Sequence, residues 1–475
     1  MAIVAIDQGT SGTKALVIGG AGEVLSRGYA PLDLDHSGPG VSECAAEDLW
    51  QSIVIAIKQA LAGCSEKITA VGLANQGESI LAWDKSNGEA LSKVIIWQDS
   101  RSASLCDQRR THSDFVLAKS GLALDPYFVA PKMVWLRNRV AAGVITTTDT
   151  WIIARLTGKF VTDVSTASRT LLFDLHTRSW SNELADIWDL DIADLPNLVN
   201  NDDVIGEICH PDVEELRGVV LAGTMVDQSA ALLAENCFDV GQAKCTYGTG
   251  AFLLTNIGAA PKISKHGLAT SLAWNIRGAS AYYLDGQVFT AATAVQWLIE
   301  NDLLVSAEAI DSLPDARGVM AAPGFAGYGA PLWKPHATAS IAGLTLSHGK
   351  GEIARAMVDG IAAQVADLLG AIAADGVAVK QLRVDGGLTQ SHTLMQMQAD
   401  LAQVDIEVYP HPDATAIGVA NLAAMATQSA LTLQDFASSW KSSHTYSPVW
   451  SADRAQSYLA KWRTLPANAL ESAHE

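Results

Sequence analysis

The strongest constraint on the fold is a pattern that occurs twice: a short apolar strand, a tight loop of glycine and hydroxyl residues, and a second strand. The first copy opens the chain. Ile3-Val4-Ala5-Ile6 reads as a buried strand ending at Asp7, residues 8–13 as the loop, and Ala15–Ile18 as the return strand. Gly19-Gly20-Ala21-Gly22 then turns the chain into a third strand over Val24–Tyr29, which predicts an antiparallel meander. The second copy lies at mid-chain, with a strand over Ala243–Thr246, a loop at Tyr247-Gly248-Thr249-Gly250 and a strand over Ala251–Asn256. Further strands are expected at Ser271–Ile276 and Ala281–Leu284. The shared core is short, so it suggests an internal repeat without proving one. It places a domain boundary near Cys237–Gly241.

Helices alternate with these strands. Ile353, Met357, Ile361, Val365, Leu368 and Ile372 fall on one face of an amphipathic helix that ends near Gly376. Gln381–Val384 reads as a strand running into Asp385-Gly386-Gly387, with helices expected over Gln390–Leu401 and Ala414–Ala426. Strands mixed with helices in both halves predict an α/β protein. The absence of a low-complexity segment or long linker predicts two halves packed around a cleft.

Charge bounds the partners. The 475 residues carry 32 Lys and Arg against 51 Asp and Glu, a net charge of −19. Such a chain repels nucleic-acid backbones and anionic membrane surfaces, so neither is expected as a partner. A small anion is not excluded, because backbone dipoles and a metal ion can reverse the field locally. The six cysteines are scattered and form no C-x-x-C, which reads as buried thiols of a reducing compartment. With no signal-like N-terminus and no run of 18 or more apolar residues, the expected location is cytoplasmic.

Common nucleotide and zinc signatures are missing. Gly349-Lys350-Gly351 lacks the hydroxyl residue of a P-loop, and Gly20-Ala21-Gly22 runs on to Leu25 where a dinucleotide fingerprint needs glycine. The eleven histidines include no H-E-x-x-H. What remains is the pair of hairpin loops. Asp7-Gln8-Gly9-Thr10-Ser11-Gly12-Thr13-Lys14 can wrap phosphate oxygens, because glycine permits close approach and successive amides form an anion nest. Asp7, at the strand end, is placed to hold Mg²⁺ directly or through water. One such loop alone is as well explained by ordinary turn geometry; two in one chain favour phosphate.

The strings AIDQGTSGTKA, DPYF, TYGTG, PGFAGYGAPLW and VDGG resemble, in order and spacing, those of the FGGY carbohydrate kinases, most of all the glycerol-kinase branch. Ser340–Leu344 followed by Glu352–Asp359 is similar to the family's second signature, and the resemblance extends to about residue 430. It implies an α/β fold of two actin-like, ribonuclease-H-like ATPase domains around a central cleft. Residues 1–237 would hold the acceptor site, first phosphate loop and catalytic base, and residues 238–475 the second phosphate loop and nucleotide site. It also implies ATP and Mg²⁺ as cofactors, a small polyol or sugar as acceptor, and a homodimer or homotetramer.

Carried over residue by residue, the resemblance makes Asp227 the general base and, with Asp7, a metal ligand. An aspartate just before a helix is otherwise most often an N-cap. Thr10, Ser11, Gly12, Thr13 and Lys14 would meet the ATP phosphates from one side, and Gly248 and Thr249 from the other. Lys14 replaces an arginine, which keeps the charge and loses the bidentate fork. Ala292, Gln296, Gly387 and Ser391 fall on nucleotide-site positions, with Ala292 and Ser391 replacing glycine and asparagine. Glu78, Trp97, Tyr127, Asp227, Gln228 and Phe252 match acceptor-site positions.

Gly77 stands where the glycerol-kinase branch has arginine. Losing up to five donors and gaining volume leaves two readings. Another residue supplies the donor and glycerol remains the acceptor, or the space admits a tetritol, a pentitol or a ketopentose such as xylulose. FVAPK and WQDSR are similar to xylulokinase strings, whereas Gly77-Glu78 departs from the Met-His expected there. From another class, an actin-like nucleotide-dependent scaffold would share the loops and need no acceptor pocket. The segment before Val219 lacks the Gly-rich, arginine-bearing loop of glycerol kinases that bind fructose 1,6-bisphosphate, so that regulation is not expected.

Overall fold

A computed structural model describes residues 2–334, 336–437 and 441–469. Among them the first sheet has six strands: β1 (Ala2–Gln8), β2 (Gly12–Ile18), β3 (Val24–Pro31), β4 (Ile68–Asn75), β5 (Val204–Glu207) and β6 (Val220–Val226). Their order is β5-β6-β4-β1-β2-β3. The predicted meander forms, β1 antiparallel to β2 and β2 to β3, while β4 lies parallel to both β1 and β6.

The second sheet has seven strands: β7 (Gln242–Tyr247), β8 (Ala251–Gly258), β9 (Ala269–Ile276), β10 (Ala279–Val288), β11 (Gln381–Asp385), β12 (Asp405–Val408) and β13 (His444–Tyr446). They run β9-β10-β8-β7-β11-β12-β13, with β7 parallel to β11 and β11 parallel to β12. Each sheet therefore has an antiparallel run (three strands in the first, four in the second, where β9 is the extra one), two further strands parallel to the first strand of that run, and an antiparallel edge strand. The β1–β2 and β7–β8 loops occupy equivalent places in the two sheets. The repeat that is only suggestive in sequence is thus a repeat of topology, and it is the one the resemblance implies.

Five helices position the site: α1 (Asp227–Ala234), α2 (Ala292–Glu300), α3 (Lys350–Ala374), α4 (His392–Ala402) and α5 (Ala414–Thr427). The expected amphipathic helix is α3, but its middle is buried nearly all round, Asp359 and Gln364 included. A one-face pattern was wrong because the helix runs through the second core, not over its surface. By length and composition α3 would also pass as a membrane span; most of it is buried inside the protein.

The chain changes sheet between α1 and β7, then returns. Helix α5 lies against β1, β4, β6 and α1 of the first half. The contact is backbone-close: a methyl at Gly418 would strike the Ala230 carbonyl. Ile3, Ala5, Met225 and Leu232 share one apolar core with Leu254, Trp274 and Tyr283 and with Ala416, Val419 and Leu422 of α5. The seam between the halves is therefore dry and packed beneath the cleft. Of the six cysteines, Cys44, Cys106, Cys237 and Cys245 are buried, whereas Cys64 is half-buried and Cys209 exposed. Burial of all six was a wrong expectation, since those two sit at the ends of elements and not in the core.

Candidate functional site

One cavity brings together residues that lie far apart in sequence. Thr10 of the first loop, Thr249 of the second, Asp227 at the start of α1, and Gln76, Gly77, Glu78, Trp97, Tyr127, Gln228 and Phe252 all line it. So do Arg169, Tyr283, Asp285 and Gln287, which sequence reasoning missed. The assembly follows from topology. Strands β1, β4 and β6 are parallel, so Asp7, Asn75 and Val226, at or next to their C-terminal ends, fall at one edge of the sheet. The chain leaves that edge into the first loop, the Gln76–Glu78 turn and α1.

Asp227 is the first residue of α1, and Val226 is its N-cap. The carboxylate accepts from the Gln228 amide through Oδ1 at 2.7 Å. Burial pushes its pKa up to about 6; the charge of Asp7 adds to this and Lys244 opposes it. Asp7 is likewise raised to about 6 by burial, opposed by Lys14 and reinforced by Asp413 and Asp385. Two carboxylates that resist ionising beside each other fit a divalent cation, which would relieve that cost. Among the described residues no three or more His, Cys, Asp or Glu are arranged to hold a metal. Two carboxylates, with phosphate and water completing the shell, suit Mg²⁺ better than a metal that needs a full protein cage.

The end of the cavity where the acceptor is expected has an aromatic wall. The Trp97 ring stands edge-on to Tyr127 at 5.5 Å and to Phe252 at 6.0 Å, and its Nε1–H donates to Thr10 Oγ1 at 2.8 Å. One indole thus ties the wall to the β1–β2 loop. Glu78 is buried in a left-handed conformation (φ 57°), which costs of order 1 kcal/mol for a residue with a Cβ. Arg169 Nε donates to Glu78 Oε1 at 2.5 Å. Burial pushes the Glu78 pKa up, with Arg169 opposing. Arg169 Nη1 also reaches Ser271 Oγ, and Nη2 reaches Asp285 Oδ2, both at 2.9 Å. A guanidinium therefore stands beside Glu78, supplied by Arg169 and not by position 77. Its lone charge within the run Ser165–Leu172 was the only sequence signal for it.

The residues expected to face phosphate are placed unevenly. Thr10, Ser11, Gly248 and Thr249 are half-buried or exposed around the cleft. Thr13 is fully buried, its Oγ1 is 2.7 Å from Ser52 Oγ, and its backbone is paired within β2 to Gln8 and Ala30, so it faces the core and not the cleft. Gly12 is buried between the loop and β3. Lys14 Nζ pairs with Asp413 at 3.2 Å, and Arg27 Nε meets the same carboxylate at 3.2 Å. In the second half, Gly386 (φ 95°) backs the Tyr247-Gly248 loop so closely that a methyl there would strike Tyr247. Gly387 beside it is open. Ala292 begins α2, and its amide donates to the Gly248 carbonyl at 3.0 Å. Gln296 is exposed on that helix and bonds Glu300 at 3.0 Å. Ser391 is buried, caps α4 through Leu394 N–H and donates to Asp311 at 2.9 Å, so its hydroxyl is already engaged.

Comparison with known proteins agrees with this geometry. The profile of the FGGY family of carbohydrate kinases, N-terminal domain, matches residues 2–234, and that of the C-terminal domain matches residues 243–427. Glycerol kinase of Bordetella parapertussis is 37% identical over 97% of this chain and 96% of its own length. Glycerol kinase of Alkalilimnicola ehrlichii is 41% identical over 90% of each. Among solved structures, glycerol kinase of Plasmodium falciparum with ADP superposes with a TM-score of 0.92 at 28% identity, covering 99% of both chains. Gluconate kinase from Lactobacillus acidophilus, at 22% identity and a TM-score of 0.89 over 98% of both chains, shares the fold.

Proposed function

The chain belongs to the FGGY family of carbohydrate kinases and is an ATP-dependent kinase of a polyol or sugar; on that premise we propose that its acceptor is a small polyol, glycerol first, with Asp227 as the general base. The observation that carries this is the single cavity in which Asp227, both phosphate-loop threonines and the aromatic wall meet. A scaffold would have no use for that wall.

Phosphoryl transfer to an alcohol is mainly positioning and charge stabilisation. Amides of the first loop and of Gly248–Thr249 would hold the phosphates from opposite sides. Asp7 and Asp227 would hold Mg²⁺, which supplies charge neutralisation on the β and γ phosphates. Asp227, with its pKa raised to about 6, is ionised at neutral pH and more basic than an ordinary aspartate. It takes the proton of the acceptor hydroxyl as that oxygen attacks. Trp97, Tyr127 and Phe252 cover the acceptor's C–H edges and exclude water, while Glu78 accepts from a hydroxyl.

The proposed working halves are 1–237 and 238–475, closing over the cleft, in a homodimer or homotetramer. Gly77 favours a second reading, a longer polyol or ketopentose: a Cβ there would meet only Val226 Cγ2, at 3.0 Å. An ADP-release screen over glycerol, tetritols, pentitols and ketopentoses decides between the two. Release with none of them overturns both.

A further inference from the structure

The cavity extends past Asp227 to a second carboxylate that the resemblance assigned no role. Strand register fixes its place. Val288 of β10 lies opposite Ala251, the first residue after the second phosphate loop; Gln287 lies opposite Phe252 and Asp285 opposite Leu254. At 3.3 Å per residue, Asp285 stands roughly 10 Å further from that loop than Val288. Alternation puts Gln287 and Asp285 on one face, and both line the cavity. Gly286 between them faces the other way, where a Cβ would strike Leu368 of α3.

Asp285 is buried, and both of its polar side-chain contacts fall on Oδ2. Arg169 Nη2 forms an ion pair with it at 2.9 Å, and Gln287 Nε2 donates to it at 3.4 Å. Its Oδ1 has no hydrogen-bond partner among the described residues. Arg169 joins this carboxylate to Glu78, which comes from the opposite half of the molecule. The wall of the pocket away from the phosphates thus carries two carboxylates fixed by one guanidinium, one from each half.

We propose that Asp285 determines acceptor specificity by accepting, through Oδ1, a hydrogen bond from the acceptor hydroxyl most distant from the one phosphorylated, with Arg169 as the positioning residue that holds Asp285 and Glu78 in register. This rests on the polyol-kinase reading and adds to it a rule. The acceptor needs a hydroxyl at each end, one for Asp227 and one for Asp285. Because the two reading groups belong to different halves, an acceptor with both hydroxyls also bridges the cleft, whereas one lacking the far hydroxyl is held by Asp227 and not by Asp285.

The test compares glycerol with propane-1,2-diol, which lacks the far hydroxyl. If a ketopentose is the better acceptor, D-xylulose is compared with its 1-deoxy form. The wild type is expected to favour the full acceptor in kcat/KM by roughly 10–100-fold, the loss of one hydrogen bond to a charged group. In Asp285→Asn and Asp285→Ala that preference collapses to within about threefold, the acceptor KM rises roughly tenfold or more, and the ATP KM stays within about twofold. Arg169→Lys keeps the charge and loses the fork, so it should weaken the preference while ATP binding persists. A wild type indifferent to the missing hydroxyl overturns the proposal with no variant needed. So does an Asp285 variant that folds and discriminates as the wild type does. If no acceptor releases ADP, the functional reading fails separately. Calorimetric titration with glycerol, compared with propane-1,2-diol, in the wild type and in Asp285→Asn, then tests Asp285 by binding alone.

Discussion

Lys244 Nζ lies 2.5 Å from Gln228 Oε1, so a buried ammonium on the first strand of the second sheet holds the residue next to Asp227. The same nitrogen donates to Thr246 Oγ1 at 2.8 Å, which fixes its direction. The positive charge also opposes the rise in the Asp227 pKa caused by burial and Asp7. The Asp227 carboxylate of the first half, the proposed base, therefore feels the charge of a residue of the second half, and its pKa depends on how the halves sit together.

Replacing Lys244 with Met should move the acid limb of the kcat/KM profile to higher pH. With the opposing charge gone, Asp227 ionises only at higher pH, and on the acid side a tenfold smaller fraction of the base is ionised for about every pH unit the limb moves. A pH–rate profile superimposable on that of the wild type would show that Lys244 does not act on Asp227.

Asp227→Asn should slow turnover by orders of magnitude and stabilise the fold, an unusual pair of effects. Without a base, kcat is expected to fall by roughly 10²–10⁴-fold while ATP still binds. The stability effect follows from the pKa, raised from 3.8 to about 6 by burial. A group raised in the folded state contributes stability that is present below its unfolded pKa and lost as pH rises through the folded value. Above pH 6 the ionised carboxylate is therefore a liability, and an asparagine removes it. Thermal melts at pH 8 should favour the variant by about 1–3 kcal/mol, and the difference should shrink near pH 4. Equal melting of the two proteins at pH 8 would contradict the buried, charge-crowded setting of Asp227.

Much of this fold was legible because its signals are local. The β1–β2 and β7–β8 hairpins, the Asp385-Gly386 turn and helices α4 and α5 follow from period, glycine and chain order. What escaped depends on tertiary burial. The burial of the middle of α3 on nearly all sides and the return of α5 to the first sheet are set by the partners of those helices, which no window of sequence contains. The site divides the same way. Trp97, Tyr127, Glu78 and Phe252 sit in recognisable strings. Arg169 and Asp285 become a pair only when residues 116 positions apart meet across the cleft; alone, each is a single charge among uncharged neighbours.

Lys14 is tied to Asp413 at 3.2 Å, and that carboxylate also takes Arg27. Its ammonium stays close to the first loop and opposes the raised pKa of Asp7, so it is placed to answer phosphate charge. Lys14→Met should raise the ATP KM roughly tenfold and leave the acceptor KM within about twofold, while Lys14→Arg should retain near wild-type ATP affinity. An effect on the acceptor KM alone would place Lys14 at the wrong end of the cleft.

Gly77→Arg tests whether the missing side chain sets the acceptor's length. Position 77 is buried beside Glu78 and lines the cavity, and its one close neighbour for a Cβ is Val226 Cγ2. An arginine grown from it has to enter the cavity, where it takes up volume and brings up to five donors. Its charge would also approach Arg169, whose guanidinium already serves Glu78 and Asp285, so part of the gain is offset by repulsion. Glycerol needs little room, and its hydroxyls gain donors; a pentitol or ketopentose loses the space it requires. The ratio of kcat/KM for glycerol to that for xylitol or xylulose should therefore rise at least tenfold, chiefly through loss of the longer substrate. If the ratio stays within twofold of wild type while the variant still folds and binds ATP, the volume at Gly77 has no part in selecting the acceptor.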